Sequence, residues 1–257
     1  MKRIIFTLIL STLITTGYGQ DWLRILSGTL KVGKALTLSD NELANVVSQS
    51  TRSMDQSNKV CSESSNYTKR LRRITQGMED ADGIALNFEV YLTDQLNAFA
   101  CPDGSVRIFS ALMDLLSDDE LLGVIGHEIG HVALRHTKKA WKEELLRSAA
   151  SDAIGAFSDT WANLSESVIG SISNAAISAK FSKKQEKEAD DYGYEFLKKC
   201  GKNPWAMALA FKKMKELSQK EEERYSVLLE AFSTHPNFDE RIKRIRKKAV
   251  KDGYPIN

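Results

Sequence analysis

Two histidines lie four residues apart in the sequence His127-Glu128-Ile129-Gly130-His131, and this spacing strongly restricts the local fold. Residues i and i+4 share one face of an α-helix, so a helix here presents both imidazoles to the same point. A capping box, Ser117-Asp118-Asp119-Glu120, precedes the pair, and apolar residues then recur at helical spacing. The pattern predicts a helix from about Asp118 to His136.

The two imidazoles are suited to fill two positions of a tetrahedral zinc ion from one rigid element. Glu128 follows the first histidine and can reach a water molecule that zinc makes acidic, which is the position of a general base. Two core histidines on an amphipathic helix would be the ordinary interpretation. The glutamate between them and the four-residue spacing favour a catalytic zinc site with His127 and His131 as ligands.

A catalytic zinc needs a third protein ligand and one open position. His136 is not expected to serve, because it lies nine residues after His127, about half a turn around the helix. The metzincin pattern also fails, since Leu134 and Thr137 stand where its Gly and third His would be. The third ligand must therefore come from another part of the chain.

The acidic run Glu186-Lys187-Glu188-Ala189-Asp190-Asp191 is the better source of that ligand. Glu186 and Asp190 are one helical turn apart, so Glu186 could bind zinc while Asp190 orients a ligand histidine. Taken alone, an acidic helix face is more often simply solvated. Together with the histidine pair, it becomes the candidate second half of a metal site.

The rest of the chain predicts an α+β fold that is mainly α-helical. Short β-rich runs between Ile84 and Phe109, broken by Asp94-Gln95 and Pro102-Asp103-Gly104, predict a small antiparallel sheet. Helical patterns cover most of the remainder. The predicted helices run from the capping box at Ser39 to about Gln76, from about Ser182 to Lys199, after Asn203-Pro204, and from Asn237 to the end.

The segment from Ala149 to Ala179 is rich in Ala, Ser, Gly and Ile. This composition suits closely packed helices, and it equally suits a mobile helical lid over a cleft. Because the segment lies between the two halves of the metal site in sequence, both interpretations stay open.

The first 19 residues predict a secretory signal peptide: Lys2 and Arg3 precede the apolar stretch Ile4 to Ile14 and a Gly-Tyr-Gly cleavage site. The apolar stretch is shorter than the roughly 20 residues that span a bilayer. The mature chain would then be one catalytic domain, residues 20–257, exported to the periplasm. Three cysteines, Cys61, Cys101 and Cys200, permit one disulfide without indicating which residues pair.

Removal of residues 1–19 takes the 36 basic residues to 34, which equals the 34 acidic residues. A near-neutral protein argues against a nucleic-acid partner, which needs a clustered basic face. The basic run from Arg241 to Lys248 is interrupted by apolar residues at helical spacing, so it is expected to be the solvated face of a terminal helix.

From about Asn97 to Arg246, the chain resembles the zinc peptidases that include the CAAX prenyl proteases and the HtpX heat-shock proteases. It looks closest to exported, single-domain members of bacterial envelopes. The matching residues are Asn97-Ala98-Phe99-Ala100, Pro102-Asp103-Gly104, Asp119-Glu120-Leu121, the sequence from His127 to His136, Ser182, Glu186, Glu188-Ala189-Asp190, Thr234-His235-Pro236 and Arg241-Ile242.

The resemblance implies a zincin-like (gluzincin) domain with its small sheet beside the active-site helix. It implies that Glu186, rather than Glu188, binds the metal, because the family's Glu and Asp align on Glu186 and Asp190. It further implies that the run Asn97, Ala98, Phe99 and Ala100 is an edge strand that binds protein or peptide substrates by strand addition.

His235 and Arg241 lie outside the metal motifs but are candidates to complete the site. Peptide hydrolysis develops an oxyanion, which a second donor such as His or Arg can stabilise. The resemblance places a His-Pro and a following Arg near the zinc, and it allows His235 to occupy the open metal position as a latch instead. A capping His and a surface Arg are the ordinary alternative.

The leading functional hypothesis is a zinc-dependent endopeptidase of the bacterial cell envelope that removes misfolded or unassembled exported proteins. This quality-control role rests on the family resemblance, as does peripheral contact with an envelope membrane or outer-membrane assembly machinery. The alternative is a chaperone or assembly factor with a latent metal site. A structural zinc protein is disfavoured, because structural sites usually have four protein ligands and favour cysteine.

Overall fold

Helices dominate the computed structural model, which describes residues 39–150, 166–178, 180–218 and 234–256. The helices are α1 (Asp40–Ser57), α2 (Asn66–Ile74), α3 (Ser110–Leu115), α4 (Asp118–Ala133), α5 (His136–Ala150), α6 (Glu166–Ile177), α7 (Lys183–Lys199), α8 (Trp205–Ser218) and α9 (Phe238–Lys251). The strands are β1 (Asp80–Ala81), β2 (Ile84–Ala85), β3 (Asn87–Tyr91), β4 (Ala98–Ala100) and β5 (Ser105–Phe109). The prediction of a mainly helical α+β chain is confirmed.

Helix α4, which carries the histidine pair, begins where the capping box predicts. The Ser117 amide donates to Glu120 Oε2 at 2.8 Å, and the Glu120 amide donates to Ser117 Oγ at 3.4 Å. The helix ends at Ala133 rather than His136, because Arg135 adopts a left-handed conformation with φ of 62°. His136 therefore becomes the first residue of α5.

The long helix predicted from Ser39 to Gln76 is wrong, because two helices occupy this range. Helix α1 ends where the Asn58 side chain donates to the Met54 carbonyl at 2.8 Å. Residues 59–61 then run beside β3, where the Cys61 amide donates to the Val90 carbonyl at 2.8 Å. The backbone groups of this segment are satisfied by the sheet instead of by a continued helix.

The three-stranded sheet is mixed, so the prediction of an antiparallel sheet is only half correct. Strands β4 and β5 are antiparallel, with Ala98 opposite Ile108, as the Pro-Asp-Gly turn indicated. Strands β3 and β5 are parallel, with Asn87 opposite Ser105. The order β3-β5-β4 makes β5 the centre, and all five of its residues are buried.

The sheet lies between two groups of helices and divides the core into two clusters. On one face, residues such as Ala98 and Ile108 pack with α4, α7, α8 and α9. On the other face, Tyr91, Phe99 and Phe109 pack with α1, α5 and α6. Alternate residues of β4 thus point into different clusters, as the period of two in a strand requires.

An ion pair between a buried arginine and a partly buried aspartate holds α1 on the sheet. Arg107 on β5 donates from Nε and Nη2 to the two carboxylate oxygens of Asp55, at 2.8 and 2.9 Å. The Tyr91 hydroxyl on β3 donates to the same carboxylate at 2.6 Å. A bidentate pair of this kind fixes orientation as well as distance.

Helices α4 and α7 form the most extensive helix contact, and glycines make the close approach possible. A Cβ added at Gly126 would lie 2.5 Å from the Phe196 ring of α7, and one added at Gly193 would lie 3.0 Å from the His127 amide nitrogen. On the other side of α4, a Cβ at Gly123 would lie 2.8 Å from the Met207 Cα of α8. Side chains at these positions would push the helices apart.

Several predicted features fall partly or wholly outside the described residues. The predicted signal peptide, residues 1–19, lies outside them, as do residues 151–165 and 179 of the segment predicted as packed helices or a lid. Within that segment, α6 packs against α1 and α5 through buried Ile172 and Ala176.

All three cysteines are free thiols. Across the described ranges, every helix is too short or too polar to cross a bilayer.

The substitution Gly123→Ala should lower the free energy of unfolding by up to about 2 kcal/mol. Overpacking costs roughly 1–3 kcal/mol, and the higher helix propensity of Ala returns about 1 kcal/mol. Gly170→Ala in α6 is the matched control, because a Cβ there meets nothing within 4 Å. Urea denaturation should show the loss only in Gly123→Ala, and equal effects in both variants would contradict the packing argument.

Candidate metal centre

Both histidines of the pair point from one face of α4 to the same place. The Nε2 atoms of His127 and His131 are 3.1 Å apart, and both side chains are buried. Burial holds the pKa of His131 well below its usual value, so this imidazole is neutral and keeps a lone pair for a metal.

Helix α7 brings Glu186 to the same place. Its Oε1 lies 3.5 Å from His131 Nε2, and its Oε2 lies 3.7 Å from His127 Nε2. With His235, these residues form a group of four whose ligand atoms all lie within 4.8 Å of one another. The three metal ligands predicted from the sequence are therefore brought together.

Glu188, the alternative acidic ligand, points elsewhere. Its Oε2 lies 3.3 Å from His136 Nε2, and its side chain is 41% exposed. Glu186 is 1% exposed and faces both histidines. The geometry thus favours Glu186, in agreement with the resemblance.

Asp190 lies beside the candidate ligands, as its spacing from Glu186 along α7 suggests, and Arg241 of α9 lies next to it. Asp190 Oδ1 lies 3.1 Å from His127 Nδ1, the ring nitrogen that faces away from the group of four. Arg241 Nη2 donates to the same oxygen at 2.7 Å. Burial would raise the pKa of Asp190, but the charge of Arg241 and the hydrogen bond from His127 outweigh it and hold that pKa well below its usual range.

A divalent metal fits these donors. Glu186 Oε2 is buried and accepts no directed hydrogen bond, although Arg241 Nη1 lies 2.7 Å away. The carboxylate faces both imidazoles, with Oε1 toward His131 and Oε2 toward His127, and this placement suits a carboxylate that coordinates a metal. Two histidines and one glutamate form the ligand set of a catalytic zinc site.

His235 lies among the predicted ligands, at the turn before α9. Its Nδ1 is 2.9 Å from Glu186 Oε1 and its Nε2 is 3.7 Å from Glu128 Oε1. Burial lowers the pKa of His235, but the negative charges of Glu186 and Glu128 offset this and leave the pKa above its ordinary value. The ordinary alternative of a capping histidine is not favoured by this position.

Glu128 faces the group of four, with its Oε1 3.7 Å from His235 Nε2. Its side chain lines two cavities beside this group. Burial raises the pKa of its carboxyl above the ordinary value, while the charges of His235 and His127 act in the opposite direction. The cavities that Glu128 lines are shared with Asn97 and Ala98, and the second of them also with Phe99 and Ala100. The predicted substrate strand therefore lies beside the predicted base.

Two aromatic residues at the site were not predicted from the sequence. The Phe181 ring lies against His131, with ring centroids 3.9 Å apart, and the Phe211 ring lies 4.1 Å from the Arg241 guanidinium carbon. The second contact is a cation–π interaction that helps to hold a buried arginine. Phe181 stands outside any periodic pattern, and the helical spacing of Phe211 indicates only a core position, so neither contact has a sequence signal.

Residues 65–249 match the sequence profile of Peptidase family M48. The chain belongs to this family. Metalloprotease YcaL of Escherichia coli strain K12 is 36% identical over 251 residues, which cover 96% of each chain. Metalloprotease LoiP of the same strain is 33% identical over 254 residues and covers 98% of each chain. The beta-barrel assembly-enhancing protease of Yersinia pestis is 31% identical over 189 residues, which cover 66% of this chain and 36% of that protein.

The M48 assignment confirms the resemblance inferred from the sequence. The family and the metalloproteases that match nearly the whole chain identify a metal-dependent endopeptidase. The matched range contains the group of His127, His131, Glu186 and His235.

The M48 chain should bind about one metal ion, and His127→Ala or Glu186→Ala should remove most of it, because three ligands are needed to hold a catalytic metal. Glu195→Ala is the control, because it deletes a half-exposed glutamate from the same helix, away from the group of four. Metal content of the purified proteins by mass spectrometry tests this. Retention in Glu186→Ala with loss in Glu188→Ala would move the third ligand to Glu188.

Proposed function

We propose that this M48 peptidase is a zinc-dependent endopeptidase with a gluzincin arrangement. Its ligands are His127 and His131 from α4 and Glu186 from α7, and Glu128 is the general base. The observation that carries the proposal is the convergence of these donors within 4.8 Å, with Glu128 facing them. The helix-borne pair, the glutamate from a second helix and the adjacent sheet support a zincin-like architecture.

Glu128 handles the proton in this mechanism. When bound, zinc supplies Lewis acidity, which polarises the scissile carbonyl and lowers the pKa of a water molecule. Glu128 takes a proton from the attacking water and passes it to the leaving amine nitrogen. Asp190 accepts from His127 Nδ1 and so keeps the lone pair of Nε2 directed at the metal.

Arg241 acts mainly through the carboxylates it contacts. Its guanidinium lies 2.7 Å from both Glu186 and Asp190 and is buried over Phe211. Its donors are therefore largely engaged, and we assign it the orientation of Glu186 and Asp190 rather than direct contact with an oxyanion. His235, which faces Glu128, is the residue placed to reach the reacting carbonyl or the open metal position.

The edge strand β4 is proposed to bind the substrate backbone. It pairs with β5 on one side, and Asn97 and Ala98 border the same cavity as Glu128. An extended peptide that adds to β4 would place its backbone alongside the base. Ala176 and Ile177 at the end of α6 line this cavity opposite β4, which supports the lid interpretation of that segment; movement of α6 stays a prediction.

The biological role proposed is quality control of exported proteins in the bacterial envelope. The signal-like residues 1–19 support export to the periplasm. One relative is named as a beta-barrel assembly-enhancing protease, which supports contact with outer-membrane assembly machinery, although it shares only part of its length with this chain. Unfolded segments are the substrates that suit an edge strand.

Glu128→Gln should keep the zinc and lower peptide hydrolysis by at least about 100-fold, because the variant lacks a base but keeps the ligands. Cleavage of an unfolded protein such as casein, measured with zinc content, tests the proposal. Unchanged cleavage would overturn the mechanism. Envelope proteomics in cells with wild type or Glu128→Gln then separates a protease from a chaperone, since a chaperone would keep its effect in the variant.

His235→Ala should raise peptide hydrolysis while zinc content stays unchanged. In the described arrangement His235 Nδ1 lies within the ligand group, so its imidazole would compete with water and substrate for a bound metal. Initial rates at saturating zinc measure the effect. A lower turnover with unchanged zinc would instead assign His235 to stabilisation of the oxyanion.

A further inference from the structure

His136 lies against the metal ligand His131 but is not itself among the grouped ligand atoms. The Nδ1 atoms of the two rings are 3.2 Å apart, and His136 Nε2 lies 3.3 Å from Glu188 Oε2. His131 uses its other nitrogen, Nε2, to face His127 and Glu186. One chain of contacts therefore runs from the buried ligand through His136 to a half-exposed carboxylate.

We propose that His136 is a positioning residue that fixes the orientation and tautomer of His131, with Glu188 as its anchor. The inference rests on the proposed function, because it takes His131 as a ligand through Nε2. An imidazole that gives its Nε2 lone pair to a metal carries its proton on Nδ1, and that N–H needs an acceptor.

The hydrogen-bond directions then follow along the whole chain. His131 Nδ1–H donates to His136 Nδ1, which must be unprotonated to accept. His136 therefore carries its proton on Nε2 and donates it to Glu188 Oε2. Each ring nitrogen in this arrangement either donates or accepts one hydrogen bond. The two proposed metal histidines differ in the partner of Nδ1: His127 Nδ1 contacts the carboxylate of Asp190 directly, whereas His131 Nδ1 is connected to a carboxylate through the imidazole of His136.

The backbone explains how His136 reaches His131. Five residues of continuous α-helix would carry His136 well past the His131 side chain, toward another face. The left-handed turn at Arg135 ends α4 and starts α5 at His136, whose ring then packs 5.1 Å from the His131 ring and is buried. The residue excluded as a ligand by helical spacing is thus brought back as a neighbour of one.

Zinc affinity of the full chain, measured by competition with a chelator of known affinity, tests the proposal. His136→Phe keeps a ring and removes the acceptor, so zinc should bind about 10- to 100-fold more weakly. His136→Asn places an amide oxygen near the Nδ1 position and should restore affinity close to that of the wild type. Urea denaturation of the zinc-free proteins shows whether each variant is folded.

A second experiment tests the role of Glu188 as the anchor of His136. Glu188→Ala, which should still load fully with zinc, should weaken affinity in the wild type and have no further effect in His136→Phe, because the Phe ring has no N–H to donate. If His136→Phe does not fold, the effect of Glu188→Ala in the wild-type and His136→Asn backgrounds decides.

Wild-type zinc affinity in His136→Phe would overturn the proposal. Equal weakening in the Phe and Asn variants would also overturn it, since it would indicate a space-filling role. These outcomes are distinguishable from failure of the proposed function, which would appear as unchanged hydrolysis by Glu128→Gln.

Discussion

The close approach of α4 and α7 is the constraint on which the site depends. The histidines come from one helix and the acidic ligand from the other, so the two backbones must lie near enough for short side chains to meet. Gly126 and Gly193 remove the Cβ atoms that would separate them. A glycine in a helix costs about 1 kcal/mol relative to Ala, and here the cost is offset by the contact it permits. The close packing of the two helix backbones therefore sets the positions of the proposed metal ligands.

Charge is the second constraint, because the site buries more negative than positive groups. Glu128, Glu186 and Asp190 are all at most 5% exposed, and Arg241 is the permanent cation that contacts two of them. Unpaired buried carboxylates are strongly unfavourable. Arg244 Nη2 adds a second cation 3.4 Å from Asp190, and a divalent cation held by the proposed ligands would supply further positive charge and favour the burial of these carboxylates. Metal loading and folding of this region are thus expected to be coupled.

Local patterns predicted the centre of the site well. The capping box and the four-residue spacing predicted α4, and the one-turn spacing of Glu186 and Asp190 predicted that both lie on one face of α7. Both patterns could be recognised because they involve residues that are close in sequence. The break after Ser57 was not predictable in this way, since residues 59–61 are held by hydrogen bonds to β3, some 30 residues later. The parallel pairing of β3 and β5 was missed because alternation of side chains is the same in both strand directions. Phe181 and the Arg107–Asp55 pair depend on distant contacts in the same way.

The three-residue edge strand also has a consequence for solubility. An unpaired strand edge can template pairing with a strand of another molecule, which leads to aggregation, yet the substrate binding proposed for β4 requires such an edge. In this chain β4 is short, its residues are buried, and the end of α6 lies across the cavity beside it. Two copies of the protein would therefore find little free edge to share, so the short, covered strand limits self-association through the edge on which the proposed substrate binding depends.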